Sequence, residues 1–293
     1  MNLGGLLHTG VESLTSFTDF WGDLREELNA KIDAVPADVN EYGYDPWGFN
    51  PEVCKRAFLP SAILYRYYFR CITNGADRFP KGRMLLIGNH GGQVAFDGAM
   101  VGVASILEAD PPRLARGMGE YWLGTIPWFN VFMDRVGSAV GTPKTCIDML
   151  NREECVLAFP EGVRGMNKTY ADAYQLQEFG LGFMRLALET DTPIVPFAVV
   201  GSEEQAPGIA NLKGLGRMLG MPAFPITLTW PWLGPLGMVP LPTRYHIEFG
   251  EPLHFHGDPN DDDRTIREKV DEVKATIQSM LRRGLAERTS IFF

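Results

Sequence analysis

Arg83-Met84-Leu85-Leu86-Ile87-Gly88-Asn89-His90-Gly91-Gly92-Gln93-Val94-Ala95-Phe96-Asp97 is the stretch that decides the fold of this chain. Its first part, Arg83–Gly88, is a short continuous apolar run, which predicts a strand buried on both faces. Asn89 to Gly92 predict a loop, because adjacent glycines disfavour helix and permit tight turns. Asp97–Leu107 then resumes with helical spacing. Strand, polar loop and helix in that order begin an α/β unit.

The same alternation continues downstream. Cys155–Phe159 (CVLAF), Pro193–Val200 (PIVPFAVV) and Arg244–Phe249 (RYHIEF) read as strands. Pro143–Asn151 reads as a helix with Thr142 as N-cap and Pro143 in its first position. Ala171–Thr190 reads as another, interrupted near Gly180 and Gly182. Near the C-terminus Ile266, Val270, Val273, Ile277 and Met280 lie at helical spacing, with Asp263 as cap and Gly284 as stop. Upstream, 12–32 reads as an amphipathic helix carrying Leu14, Phe17, Phe20, Trp21, Leu24 and Leu28. Pro60–Ile72 reads as a helix opened by Pro60, with Arg66 and Arg70 on one face. The expectation is an α/β domain over 76–293 preceded by a helical extension over 1–75, a membrane-docking or covering element.

Composition bounds the function. The 293 residues are 45% apolar and 22% charged, which excludes a disordered or fibrous chain. A net charge of −9 removes the basic footprint of a nucleic-acid binder. That charge is uneven: 1–50 carries −7 and 51–83 carries +5. The basic stretch could dock on anionic lipid or pair with the acidic segment before it. Cys54, Cys71, Cys146 and Cys155 have neither disulfide-scaffold nor zinc-ribbon spacing and read as free thiols. The N-terminus lacks the basic region of a signal peptide. Met218–Thr243 is uncharged and long enough to span a bilayer, but Pro222, Pro225, Pro231, Pro235, Pro240 and Pro242 rule out a membrane helix. Two readings of it stay open: a buried connection over the core, or an apolar surface at an acyl-chain groove or lipid interface.

Two strand ends carry chemistry. After the first strand, His90 stands between Asn89 and Gly91, with Asp97 seven residues on. A carboxylate on one imidazole nitrogen would set the tautomer and leave the other as a general base. A loop histidine followed by an N-capping aspartate is the alternative. After the second strand, Phe159-Pro160-Glu161-Gly162-Val163-Arg164-Gly165 presents a carboxylate and a guanidinium suited to phosphate. A tight turn with a surface Glu–Arg pair is the alternative there. Glu203-Glu204 reads as an exposed acidic turn at a third strand end, or as a part of the cleft. His254, His256 and Asp258 read as solvated rather than as metal ligands.

In this order, the His–Asp pair and the Pro-Glu-Gly-x-Arg loop resemble the glycerolphosphate/lysophospholipid acyltransferase superfamily. A second block would fall on Gly124–Gly137, with Arg135 as its arginine, and a fourth on Pro193-Ile194-Val195-Pro196. His90 and Asp97 are separated by six residues where the usual motif has four, and Val163 replaces the usual threonine. The Asn-His-Gly-Gly form is similar to a bacterial branch near the metazoan transmembrane-protein-68-type acyltransferases. The resemblance implies a mixed sheet flanked by helices. It also implies transfer of a fatty acyl group from acyl-CoA or acyl carrier protein to a lysophospholipid, glycerol phosphate or related lipid. His90 would be the base and Asp97 its partner, without a covalent enzyme intermediate. Asn89, Gly91, Arg135, Glu161, Gly162 and Arg164 would bind substrate. No metal is implied, and no cofactor beyond the acyl-CoA or acyl-carrier-protein co-substrate. The implied place is cytoplasmic, peripherally on the inner face of the cell membrane. A non-catalytic lipid-binding homologue and an acyl-thioester hydrolase are the alternatives.

Overall fold

The computed structural model describes residues 21–119, 123–218 and 224–292. Its strands are β1 (Ile72–Asn74), β2 (Met84–Gly88), β3 (Ala115–Gly119), β4 (Ala139–Val140), β5 (Cys155–Ala158), β6 (Ile194–Val200), β7 (Gly208–Asn211), β8 (Pro225–Thr227) and β9 (His246–Phe249). Seven of them form one sheet in the order β1-β9-β6-β2-β5-β3-β4, while β7 and β8 pair separately. Within the large sheet only β6 and β9 run antiparallel. The helices are α1 (21–33), α2 (Pro51–Ile63), α3 (Phe96–Leu107), α4 (Phe129–Arg135), α5 (Pro143–Asn151), α6 (Val163–Met166), α7 (Gly182–Glu189), α8 (Lys213–Met218) and α9 (Asp263–Glu287). This is the mixed α/β sheet flanked by helices that the sequence leads one to expect.

Strand periodicity builds two cores, one on each face of the sheet. Met84 and Leu86 of β2, Val195, Phe197 and Val199 of β6, and Leu157 of β5 face one core. There they meet Leu24, Leu28 and Ile32 of α1, Ala62 of α2 and most of α3. Leu85, Ile87, Ile194, Ala198 and Val156 face the other, against Met149 and Leu150 of α5, Met184 of α7 and Ile266, Val270, Val273 and Ile277 of α9. Both faces of β2 are covered, which is why its sequence is apolar without alternation. Residues of α1 and α2 thus share a core with the sheet, and β1 is the sheet's edge strand.

Several expectations are corrected. The second helix starts at Pro51, capped by Asn50, whose side chain accepts the Val53 N–H; Pro60 lies inside it. It ends in a π turn closed by Phe69 N–H to Leu64 O, 2.7 Å, so Arg66 and Arg70 diverge. Arg66 pairs with Glu27 of α1 at 2.6 Å, and Arg70 turns to the carbonyls of Pro242 and Phe292. The expected helix over 171–190 forms only over Gly182–Glu189. Upstream of it the N–H groups of Leu176, Gln177 and Gly180 go to Gln278, Glu161 and Pro160 O instead of to a helical turn. Asp262, not Asp263, caps α9. Gly284 does not stop that helix: a Cβ there would meet Val200 at 3.0 Å, so the glycine permits close crossing of β6. The part of the expected 12–32 helix before residue 21 lies outside the described residues.

Candidate active site

β2 and β5 are parallel neighbours, with Ile87 opposite Ala158. Their carboxyl ends therefore open side by side, where the crevice of an open α/β sheet lies. This brings the two motifs together. The His90 N–H donates to Glu161 Oε1 at 3.0 Å, and the imidazole stacks on Phe159 with ring centroids 4.1 Å apart. His90 Nδ1 lies 2.7 Å from Asp97 Oδ2.

Asp97 sits in the first turn of α3 and is fully buried. Oδ2 also accepts the Gly91 N–H at 2.9 Å, and Oδ1 the Gly98 N–H at 2.8 Å. Asp97 is not the N-cap of α3, a place taken by Ala95 without a side-chain bond; its carboxylate holds the imidazole. Those donors fix the orientation of the carboxylate toward the imidazole. A carboxylate only accepts, so the shared proton belongs to Nδ1 and the Nε2 lone pair is free. Among the described residues no hydrogen bond engages Nε2. The longer His–Asp interval is absorbed by Gly91 and Gly92, with Gly92 at φ +87°.

On the other side of β2, the loop after β6 closes the site. Asn89 donates to Val199 O at 3.0 Å and accepts from Val199 N–H at 2.8 Å. Both ends of its amide are engaged by β6, so it ties the two strands. Gly91 is also a packing residue: a Cβ would lie 2.7 Å from Glu203. A Cβ on Gly92 would run into Ser202 O and Gln205.

Glu203 and Glu204 are only 5% and 3% exposed, which corrects the reading of an exposed acidic turn. Glu203 pairs with the buried Lys168 at 2.7 Å, and Lys168 lies 3.8 Å from Glu161. Burial pushes the Glu203 carboxyl above its ordinary range, with Lys168 opposing that shift. Glu204 is held by the Tyr174 hydroxyl and by Arg288. Lys168 had no local sequence signal, because its partners Glu161 and Glu203 follow two different strands, β5 and β6.

Glu161 is 1% exposed and accepts from His90 N–H and, at 2.6 Å, from Gln177 N–H. It ties the His90 loop to the segment at Gln177. Gly162 has φ +54°, which makes the turn after Phe159. Nearby, a Cβ on Gly165 would press on His90 O at 2.8 Å. Arg164 keeps an exposed side chain and donates to Glu178 O at 3.0 Å.

Arg135 is corrected most. Its guanidinium donates to Gly48 O at 2.9 Å and lies over the Tyr44 ring, so it braces the connection between α1 and α2. None of its polar contacts reaches the His90 cluster. Burial pushes the thiols of Cys54 and Cys155 up to about 12 and that of Cys146 up to about 11, so all three stay protonated and weakly nucleophilic.

Comparison with known proteins agrees with this geometry. A family model described as Acyltransferase matches residues 70–200, which include both motifs. Uncharacterized proteins of Mycobacterium tuberculosis and Mycobacterium bovis are 36% identical over 277 residues, covering 93% of this chain and 75% of theirs. The crystal structure of the 1-acyl-sn-glycerophosphate (LPA) acyltransferase PlsC from Thermotoga maritima superposes with a TM-score of 0.51 and 16% identity, covering 81% of each chain. That likeness is one of fold. With the paired His–Asp and Pro-Glu-Gly-x-Arg motifs on adjacent strands, residues 70–200 match the Acyltransferase family, and the chain belongs to one family with these mycobacterial proteins.

Proposed function

We propose that this protein transfers a fatty acyl group from an acyl thioester, carried by coenzyme A or acyl carrier protein, to a hydroxyl of a lysophospholipid, glycerol phosphate or related lipid. The observation that carries the reading is the buried His90–Asp97 pair, 2.7 Å apart at the carboxyl end of β2. His90 Nε2 takes the proton of the acceptor hydroxyl as its oxygen attacks the thioester carbonyl. Asp97 balances the imidazolium. The C–S bond breaks, an ester forms, and the thiolate receives the proton from His90. No enzyme nucleophile enters. The 2.7 Å contact, made in spite of the longer motif interval, supports the catalytic reading over a non-catalytic homologue.

The test is incubation of the purified protein with palmitoyl-CoA or palmitoyl carrier protein and a panel of lysophosphatidate, glycerol phosphate, monoacylglycerol and long-chain alcohol. Mass spectrometry should show an acyl ester. Free fatty acid at full rate without an acceptor would assign a thioester hydrolase instead. Absence of both products would overturn catalysis.

Arg164 is the side chain we assign to the acceptor's phosphate. Its exposed pairing with Glu178 is weak and exchangeable. Arg164→Ala should raise KM for a phosphorylated acceptor by about tenfold, the scale of one charge-assisted contact. KM for an unphosphorylated alcohol should not change. Equal KM values for the phosphorylated acceptor in wild type and variant would place the phosphate elsewhere.

No helix among the described residues is long and apolar enough to cross a membrane. We place the protein in the cytoplasm, peripherally on the inner face of the cell membrane, where thioester donors and lipid acceptors meet.

A further inference from the structure

The structure assigns membrane docking to the apolar flap built from β7, β8 and the turns up to Val239. The proposal rests on a lipid acceptor. It names the partner as the surface of a bilayer containing anionic phospholipid, and it gives the apolar contact to the flap and not to the basic 51–83 stretch.

Four of the seven bases in that stretch are paired with acids within the fold. Lys55 pairs with Asp33 and Arg66 with Glu27, both acids of α1. Arg78 pairs with Glu251 and Arg83 with Glu153. Charges engaged in this way have little left to attract a headgroup.

The flap is different. Leu236 is 74% exposed, Trp232 68% and Leu228 61%, with Ile209, Leu233 and Met238 also exposed. An apolar group of this size held in water is a binding surface in most folded proteins. It is also a built one. Leu233 N–H donates to Thr229 O at 2.9 Å, Gly234 N–H to Pro231 O at 2.9 Å and Val239 N–H to Leu236 O at 3.2 Å. The Thr229 hydroxyl donates to Gly237 O, and the Trp232 indole to Thr227 O. The backbone is satisfied locally while the large side chains are left outside.

Charge and position favour lipid as the occupant. Residues 206–243 contain Lys213 and Arg217 and no acid, in a chain of net charge −9. In an isologous dimer the segment would meet a copy that carries charge of the same sign. Exposed Trp and Leu on a segment whose charged residues are all basic suit the interface of an anionic bilayer. The flap is also continuous with the catalytic loop. Leu241 N–H donates to Gln205 O, and Gln205 in turn donates to the carbonyls of Gly92 and Val94. Asn211 donates to Asn167 O, next to the buried Lys168. Docking the flap would hold the His90 loop at the lipid surface.

The experiment is co-sedimentation of the full chain with vesicles of phosphatidylcholine alone and of phosphatidylcholine with phosphatidylglycerol, without substrate. Wild type should bind the anionic vesicles, and Leu236→Glu/Met238→Glu should weaken that binding by about tenfold or more. Circular dichroism should be unchanged, since both side chains project into solvent. Trp232→Glu should act in the same direction. Wild-type binding by the double variant would overturn the proposal, as would failure of the wild type to bind either vesicle. Sedimentation equilibrium showing a dimer that the double variant dissociates, without vesicle binding, would assign the flap to a second copy. Because no substrate is present, loss of docking and loss of acyl transfer are read separately.

Discussion

His90→Ala lowers kcat for acyl transfer by about 10²–10⁴-fold, the contribution of a positioned general base. Its kcat/KM falls by the same factor, because the base acts on a proton that moves only in the transition state. The fold survives. The backbone N–H of residue 90 still reaches Glu161, and Asp97 still accepts from Gly91 and Gly98. Circular dichroism and thermal unfolding of the variant establish that point before kinetics are measured. Near-wild-type turnover by a folded His90→Ala protein would overturn the mechanism.

Glu161→Ala has the second large effect, and it acts on both stability and rate. The carboxylate takes the N–H groups of His90 and Gln177 and lies beside Lys168. Its removal leaves two backbone donors without acceptors, a cost of about 2–4 kcal/mol. For a chain of this size that is a fall in Tm on the order of 10 °C. The rate falls too, because the loop that aims His90 loses its anchor to the β5 turn. Glu161→Gln keeps one acceptor oxygen and should recover part of both losses. The discriminating measurement is kcat of the folded fraction below the shifted Tm. A wild-type kcat there would make Glu161 a structural residue only.

Much of this site was legible locally. The apolar runs at 84–88, 155–158 and 194–200 predict strands because both faces of each are covered. Thr142 and Pro143 predict the start of α5 because capping is a property of adjacent residues. The His90–Asp97 contact was within reach because one loop and one helical turn connect them. The helix expected over 171–190 failed for the opposite reason. Its N–H groups are claimed by Glu161, Pro160 and Gln278, which lie far off in sequence. Gly284 misled in the same way: a helix stop and a close crossing place the same residue in the chain.

The amino-acid sequence by itself determined the α/β alternation, the His–Asp pair, the Pro-Glu-Gly-x-Arg turn and the apolar character of Met218–Thr243. Each is written in the periodicity or chemistry of neighbouring residues. Only the tertiary structure decided that Asn89 laces β2 to β6, that Arg135 braces Gly48 and Tyr44, and that Glu203 is buried with Lys168. It also placed the apolar flap on the outside. The Asn89 and Glu203 outcomes follow from the strand order β6-β2-β5, which sets the loops after these strands around His90. Strand order depends on how distant segments share two cores, and no local pattern encodes which of them become neighbours.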